Sequence, residues 1–280
     1  MAAMIRAYGS LLRPPTLLAP IIGATFFGWL GLERIALDVR ILAGAWVMAT
    51  ANAASNVVNQ AFDVEIDRLA KPHRPIPSGR VSRDEAIFFG VVLYGLASTV
   101  AFVLDTTYGL LVQLILLFTW AYSVPPVRLR SRLLWSNLAI ATPRGGRGLL
   151  ASYWLTAHAL TPVAWTAAVV FGLYILGGNT SKDFPDAEAD RAYGVRNFVT
   201  VYGPEKAWDL MHGISMAALL ALAVAVLSGL VPRTAGLALV ALPIEWALWR
   251  WGKRTGRGPW AAFYGLYSLT AALYALGLLL

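Results

Sequence analysis

Asn59-Gln60-Ala61-Phe62-Asp63-Val64-Glu65-Ile66-Asp67 closes an apolar run and carries the spacing that decides how the rest of the chain is read. Asn59, Asp63 and Asp67 stand at i, i+4 and i+8, so a helix aligns three oxygen-bearing side chains along one face. Acids at the end of an apolar run are costly near a membrane and mark function there. A second window, Asn179-Thr180-Ser181-Lys182-Asp183-Phe184-Pro185-Asp186-Ala187-Glu188-Ala189-Asp190, repeats the pattern. Its Asp186 and Asp190 are again four apart, and Asp183 lies one turn earlier. The windows together hold seven of the chain's 15 acids. A single Asp-x-x-x-Asp at a helix end reads as a solvated cap, but two such clusters holding nearly half of all acids do not.

The frame around the windows is apolar. Of 280 residues, 58% are hydrophobic and 14% charged, and the mean hydropathy is +0.61. Soluble domains are nearer a quarter charged, so a cytosolic enzyme, disorder and coiled coil are excluded. The absence of cysteine excludes disulfides, iron–sulfur clusters and thiolate chemistry. A membrane-crossing helix needs about 20 mostly apolar residues. Nine stretches qualify: 15–32, 40–62, 84–104, 107–123, 133–157, 162–181, 205–229, 233–250 and 259–279. Residues 1–280 are therefore expected to form a single all-α membrane domain.

With the N-terminus inside, 18 basic residues fall on that side and only Arg34, Arg40 and Arg233 fall outside, while Arg144 and Arg147 lie within the fifth stretch. Such an excess is the positive-inside signature. It reads the net charge of +8 as cytoplasmic loops rather than a nucleic-acid surface. Two inside loops, 63–83 and 182–204, carry the acidic windows. Ser82 with Glu85 forms a capping box for the third stretch, and Pro125-Pro126 ends the fourth.

Asp63 and Asp186 are 123 residues, or four stretches, apart, which puts both clusters on one side and lets them face one cavity. Like charges share a cavity only if cations join them. Oxygen ligands without Cys, and with His73, His158 and His212 scattered, suit Mg²⁺, which completes its shell with water and substrate phosphates. A diphosphate held between the clusters follows. Lys71, Arg74, Arg128 and Lys182 have the sign to bind its oxygens. Arg130, Arg132, Lys206 and the 250–257 group are read as headgroup anchors. Arg13, before Pro14-Pro15, either reaches the cavity or anchors the first helix. Arg144 and Arg147 either bind an acceptor or pair helices. Glu245 is read as a partner for a neighbouring helix, without catalytic role.

These residues resemble the UbiA superfamily of intramembrane prenyltransferases. The first family motif, Asn-x-x-x-Asp-x-x-x-Asp, is similar to Asn59, Asp63 and Asp67, and Asp67-Arg68-Leu69-Ala70-Lys71-Pro72-His73-Arg74-Pro75 resembles its continuation. The second resembles Lys182–Arg191 with the tail Tyr193–Phe198, and Tyr122-Ser123-Val124-Pro125-Pro126 looks like the family's exit from the fourth helix. The resemblance implies nine transmembrane helices around a central cavity open to lipid, and Mg²⁺-dependent transfer from a polyprenyl diphosphate of geranyl length or longer. It implies a metal set of Asn59, Asp63, Asp67, Asp183, Asp186 and Asp190. It implies substrate contacts at Asn59, Lys71, Arg74, Ser123, Arg128, Lys182, Arg13 and Arg144, and Tyr122 beside the allylic cation or the phosphate. The active site is expected toward the cytoplasmic face.

Asn59-Gln60, Lys182-Asp183-x-x-Asp186 and Arg144-Gly145 are similar to the branch acting on homogentisate, so an aromatic acceptor, a homogentisate- or 4-hydroxybenzoate-like phenol, is expected first. Ala189 replaces a glycine common in that branch. A glycerol phosphate ether or chlorophyllide acceptor is the alternative. A divalent-cation transporter is the rival class, but it should hold its acids near the bilayer midplane.

Overall fold

The computed structural model describes residues 2–255 and 260–280. Arg257, the side chain of Arg254 and the start of the ninth stretch at Pro259 lie outside the described residues. Among the described residues the chain is all-helical. It runs α1 (Ala2–Leu12), α2 (Leu18–Leu32), α3 (Val39–Phe62), α4 (Val64–Ala70), α5 (Arg83–Leu104), α6 (Thr106–Ser123), α7 (Leu133–Ala141), α8 (Gly148–Ala157) and α9 (Pro162–Gly178). It continues through α10 (Ala187–Ala192), α11 (Phe198–Tyr202), α12 (Pro204–Leu227), α13 (Ala241–Thr255) and α14 (Trp260–Leu279).

Seven runs among the described residues are long and apolar enough to cross a membrane: Ala3–Leu32, Val39–Phe62, Arg83–Leu104, Thr106–Ser123, Pro162–Lys182, Pro204–Leu227 and Ala262–Leu279. The two expected stretches missing from this set are broken. The fifth divides into α7, a π-helical segment Thr142–Arg147, and α8. Pro143 cannot donate into the helical ladder, and two glycines follow it. The eighth begins as a 3₁₀ segment, Arg233–Val240, before α13.

α3 is the central helix. Its small residues, among them Gly44, Ala45, Ala51, Ala54 and Ala61, are buried and let neighbours approach closely. A Cβ on Gly145 would stand 2.5 Å from the Phe171 carbonyl oxygen, so the π segment lies directly on the α9 backbone. An aromatic layer fills the space between α2, α9 and α14. Phe27 meets Phe171 edge-on at 6.1 Å, and Phe171 meets Tyr274 at 5.6 Å. Glu245 is fully buried and ties three helices: Tyr174 donates to its Oε2 at 2.7 Å, and His212 Nδ1 lies 2.7 Å from its Oε1. The capping box is present, with Glu85 N–H donating to Ser82 Oγ and Ser82 N–H donating to Glu85 Oε2. The loops bearing the acidic windows meet over one end of the bundle, where Ile66 of α4 packs with Ala189 and Val195 around α10.

Candidate active site

α3 stops at Phe62 because Asp63 leaves helical geometry (φ −106°, ψ 16°), and α4 restarts at Val64. The Asp67 N–H still reaches the Asp63 carbonyl at 2.8 Å, so the turn-by-turn alignment survives the break. Asp63 and Asp67 are both buried. Asn59 Nδ2 donates to Asp63 Oδ2 at 2.5 Å, so it orients the carboxylate, and it touches Ser123 Oγ at 3.4 Å.

In the second window, a 3₁₀ turn over Asn179–Lys182 precedes Asp183, and Asp190 sits in α10. Asp183 and Asp190 are buried. Asn197 Nδ2 donates to Asp190 Oδ2 at 2.8 Å. Asp183 Oδ2 is buried without a hydrogen-bond partner, as are both polar atoms of the Asn179 side chain.

Cations stitch the clusters together. Lys71 from the first loop reaches Asp186 of the second at 2.5 Å. Arg74 Nη1 holds Asp67 Oδ2 at 2.6 Å, Arg128 Nη2 holds Asp63 Oδ1 at 3.2 Å and Lys182 Nζ holds Asp183 Oδ1 at 2.5 Å. Arg130 pairs with Asp63 through Nη1 and with Asp190 through Nη2, the latter at 3.0 Å. Its assignment as a headgroup anchor is therefore wrong: the backbone turns left-handed at Arg128 (φ 36°) and carries Arg130 inward between the clusters. No linear spacing signals that turn. Asn197 was also missed, although it lies in the familiar tail after the second window.

Burial raises the Asp190 carboxyl to about 6, with Arg130 pulling it back and Asp183 pushing it further up. Asp67 also rises, through burial offset in part by Arg74. Burial lowers Lys71, against the pull of Asp186. For Arg130, burial opposes its charge, but Asp63, Tyr122 and Asp190 outweigh that and raise it.

Beside the clusters lies a narrow polar cavity of about 70 Å³, lined by Arg13, Asn59, Tyr122, Arg144, Lys182 and Tyr264 among others. The Lys182 ammonium stands 6.0 Å from the Tyr122 ring centroid, and Arg144 Nη1 donates to Tyr264 Oη at 3.3 Å. Through Thr16, Thr119, Pro143, Arg144 and Tyr264 the cavity shares walls with an apolar chamber of about 370 Å³ reaching Ile22, Met48, Ile115 and Leu149. Arg147 turns instead onto the Phe118 ring, 4.3 Å away.

The donors fit a hard divalent ion: carboxylates and an amide, with one buried carboxylate oxygen left open. Among the described residues no three carboxylates or imidazoles converge into a ready-made metal cage. Mg²⁺ is the ion that tolerates this, because it takes one or two carboxylates and finishes its shell with water and phosphate oxygens.

Residues 16–274 match the UbiA prenyltransferase family. The chain belongs to that family. It is a prenyltransferase enzyme and a multi-pass integral membrane protein, which sets aside the cation-transporter reading. This UbiA chain is 32% identical over 205 residues to a digeranylgeranylglyceryl phosphate synthase of Methanoregula boonei, covering 72% of the chain and 70% of the relative. It is 29% identical over 290 residues to the 33 kDa chain of a bacteriochlorophyll synthase of Cereibacter sphaeroides, covering 98% and 91%. Its fold matches a UbiA homologue from Archaeoglobus fulgidus bound to DMAPP and Mg²⁺, with a TM-score of 0.75 at 18% identity over 98% of this chain and 99% of that one.

Proposed function

We propose that the enzyme transfers a polyprenyl group from an allylic polyprenyl diphosphate to an anionic, membrane-borne acceptor, a glycerol phosphate ether or a chlorophyllide-like carboxylate. The observation that carries the donor half is the meeting of two aspartate clusters beside a polar cavity that shares walls with an apolar chamber. Asp63, Asp67, Asp183, Asp186 and Asp190 would hold Mg²⁺, with Asn59 orienting Asp63. Bound there, Mg²⁺ neutralises the diphosphate and makes it a better leaving group. Lys71, Arg74, Arg128 and Lys182 move from carboxylate to phosphate oxygens, while Arg13 lines the same polar cavity as Lys182. Arg130 stays between the clusters and holds them at their spacing. The chamber shelters the isoprenoid tail, and its dry walls keep water from the allylic cation. Tyr122, buried beside Lys182, faces the point where that cation forms.

The acceptor reading replaces the phenol expected from Asn59-Gln60. The relatives above are named for glyceryl phosphate and bacteriochlorophyll products. Arg144 supports it, since a guanidinium facing the cavity beside Tyr264 suits an acidic head group. We further read the aspartate end as cytoplasmic, from the distribution of basic residues.

The test is incubation of the purified enzyme with labelled geranylgeranyl diphosphate, Mg²⁺ and four acceptors: geranylgeranylglyceryl phosphate, bacteriochlorophyllide, homogentisate and 4-hydroxybenzoate. Product is expected on one of the first two, and only with Mg²⁺. Prenylation of a phenol alone would overturn the acceptor reading. Full transfer in excess EDTA would overturn the metal site.

A further inference from the structure

α3 presents a second polar stripe, one residue out of step with the motif: Asn52, Asn56 and Gln60, again at i, i+4 and i+8. All three are buried, and none of them points at the aspartates. Gln60 Nε2 donates to the Leu11 carbonyl at 2.8 Å. Asn56 Nδ2 donates to the Leu12 carbonyl at 3.0 Å and to Thr16 Oγ1 at 2.8 Å. Asn52 Nδ2 donates to the Thr16 carbonyl at 3.1 Å.

These are carbonyls at the break between α1 and α2 that a helical ladder cannot satisfy there. A continuous α-helix would pair Leu11 with the N–H of residue 15 and Thr16 with that of residue 20, and both are prolines. Leu12 would pair with the Thr16 N–H, which turns instead to the Arg13 carbonyl at 2.9 Å. A buried carbonyl without a donor is costly, so the amide ladder is what lets the chain break at this point. The break puts Arg13 in the left-handed region (φ 55°, ψ 62°), where a non-glycine residue is uncommon. Such a conformation persists only where its surroundings hold it, and it gathers at functional sites. Arg13 lines the polar cavity together with Asn59, Arg144 and Lys182.

We propose that Asn52, Asn56 and Gln60 are positioning residues that hold the break between α1 and α2 so that Arg13 reaches the donor's diphosphate. The inference rests on the donor reading of the cavity. It also gives Gln60 a role outside the metal set, although it stands next to Asn59 in the first motif.

The measurement is calorimetric titration of the purified enzyme with a non-hydrolysable geranylgeranyl diphosphonate in the presence of Mg²⁺. Arg13→Ala, Gln60→Met and Asn56→Leu should each weaken binding by about tenfold, the scale of one lost charge-assisted hydrogen bond. KM for the donor should rise in step, with kcat changed by less than about threefold. Gln60→Met added to Arg13→Ala should cost nothing further, because residues acting through one group are non-additive. Geranylgeraniol, which lacks the diphosphate, should bind all variants like wild type. Asn52→Ala, a smaller change at the rim of the ladder, gives the same comparison if Gln60→Met does not fold. An independent loss in the Arg13→Ala background would overturn the proposal and leave the ladder a packing feature. If Arg13→Ala binds the diphosphonate normally, the proposal fails, while loss of transfer in Asp63→Ala would still support the two-cluster site.

Discussion

At the scale of residues, Asp63 and Asp186 stand on different loops, yet each is tied across to the other window, Asp63 through Arg130 to Asp190 and Asp186 to Lys71 of the first loop. Asp63→Ala and Asp186→Ala are each expected to lower turnover by about 10²-fold, and the double variant to be little worse than either. Equal multiplication of the two losses in steady-state rates would show that they serve separate sites. Asp105→Ala is the comparison. Asp105 caps α6 by accepting from the Tyr108 N–H at 2.7 Å, so that variant should lose about 1 kcal/mol of stability and keep its turnover. The Asp190 carboxyl, raised to about 6 from 3.8, gives a pH prediction. Between those values the folded protein holds a proton that the unfolded chain has released, so metal-free stability falls as pH rises through the window. Thermal melting in EDTA at pH 4.5 and 7 should show that slope, and Asp190→Asn should flatten it. Mg²⁺ needs the carboxylate, so its affinity should fall below about pH 6. The acids of this site are legible in the sequence because apolar surroundings make any acid conspicuous. Arg130 is not, because its direction is set by the left-handed turn at Arg128, a property of the folded backbone.

At the scale of elements, hydropathy marks α3, α5, α6, α9 and α12 to within a few residues, because each is long and continuous. It misses the breaks in the fifth and eighth stretches, since an average over a window cannot see a π turn or a 3₁₀ segment. Pro143 and its two following glycines were the available signal for the first of these. The tie among α9, α12 and α13 was legible only as a lone Glu245. Neither Tyr174 nor His212 is distinguished in the sequence, and it is the packing of three helices that brings them together. His212→Leu leaves a fully buried carboxylate with one donor fewer and should cost about 3–5 kcal/mol, while His212→Leu with Glu245→Leu should recover much of that loss. Unfolding midpoints in detergent would check this. Equal destabilisation of the single and double variants would refute the coupling.

At the scale of the whole molecule, the loops 63–83 and 182–204 meet on one side of the bundle, held by Lys71 with Asp186 and by Ile66 with Ala189. On the orientation proposed above from the basic residues, that side faces the cytoplasm. Ser78→Cys and Ala192→Cys, introduced into a chain without cysteine, should both be protected from an impermeant thiol reagent outside sealed right-side-out vesicles and labelled after lysis. Labelling of both from outside would invert the orientation.

The pairing of five basic side chains with five aspartates at this end of the bundle has a thermodynamic consequence. On the proposed reading, Asp67, Asp186 and one oxygen of Asp63 would exchange Arg74, Lys71 and Arg128 for Mg²⁺, and the cations so released would be free to meet phosphate oxygens. Metal and diphosphate would then strengthen each other's binding, and by linkage the factor would be the same in both directions. Either one alone would meet a network whose charges are already paired, so the enzyme would be expected to take up its charged ligands together.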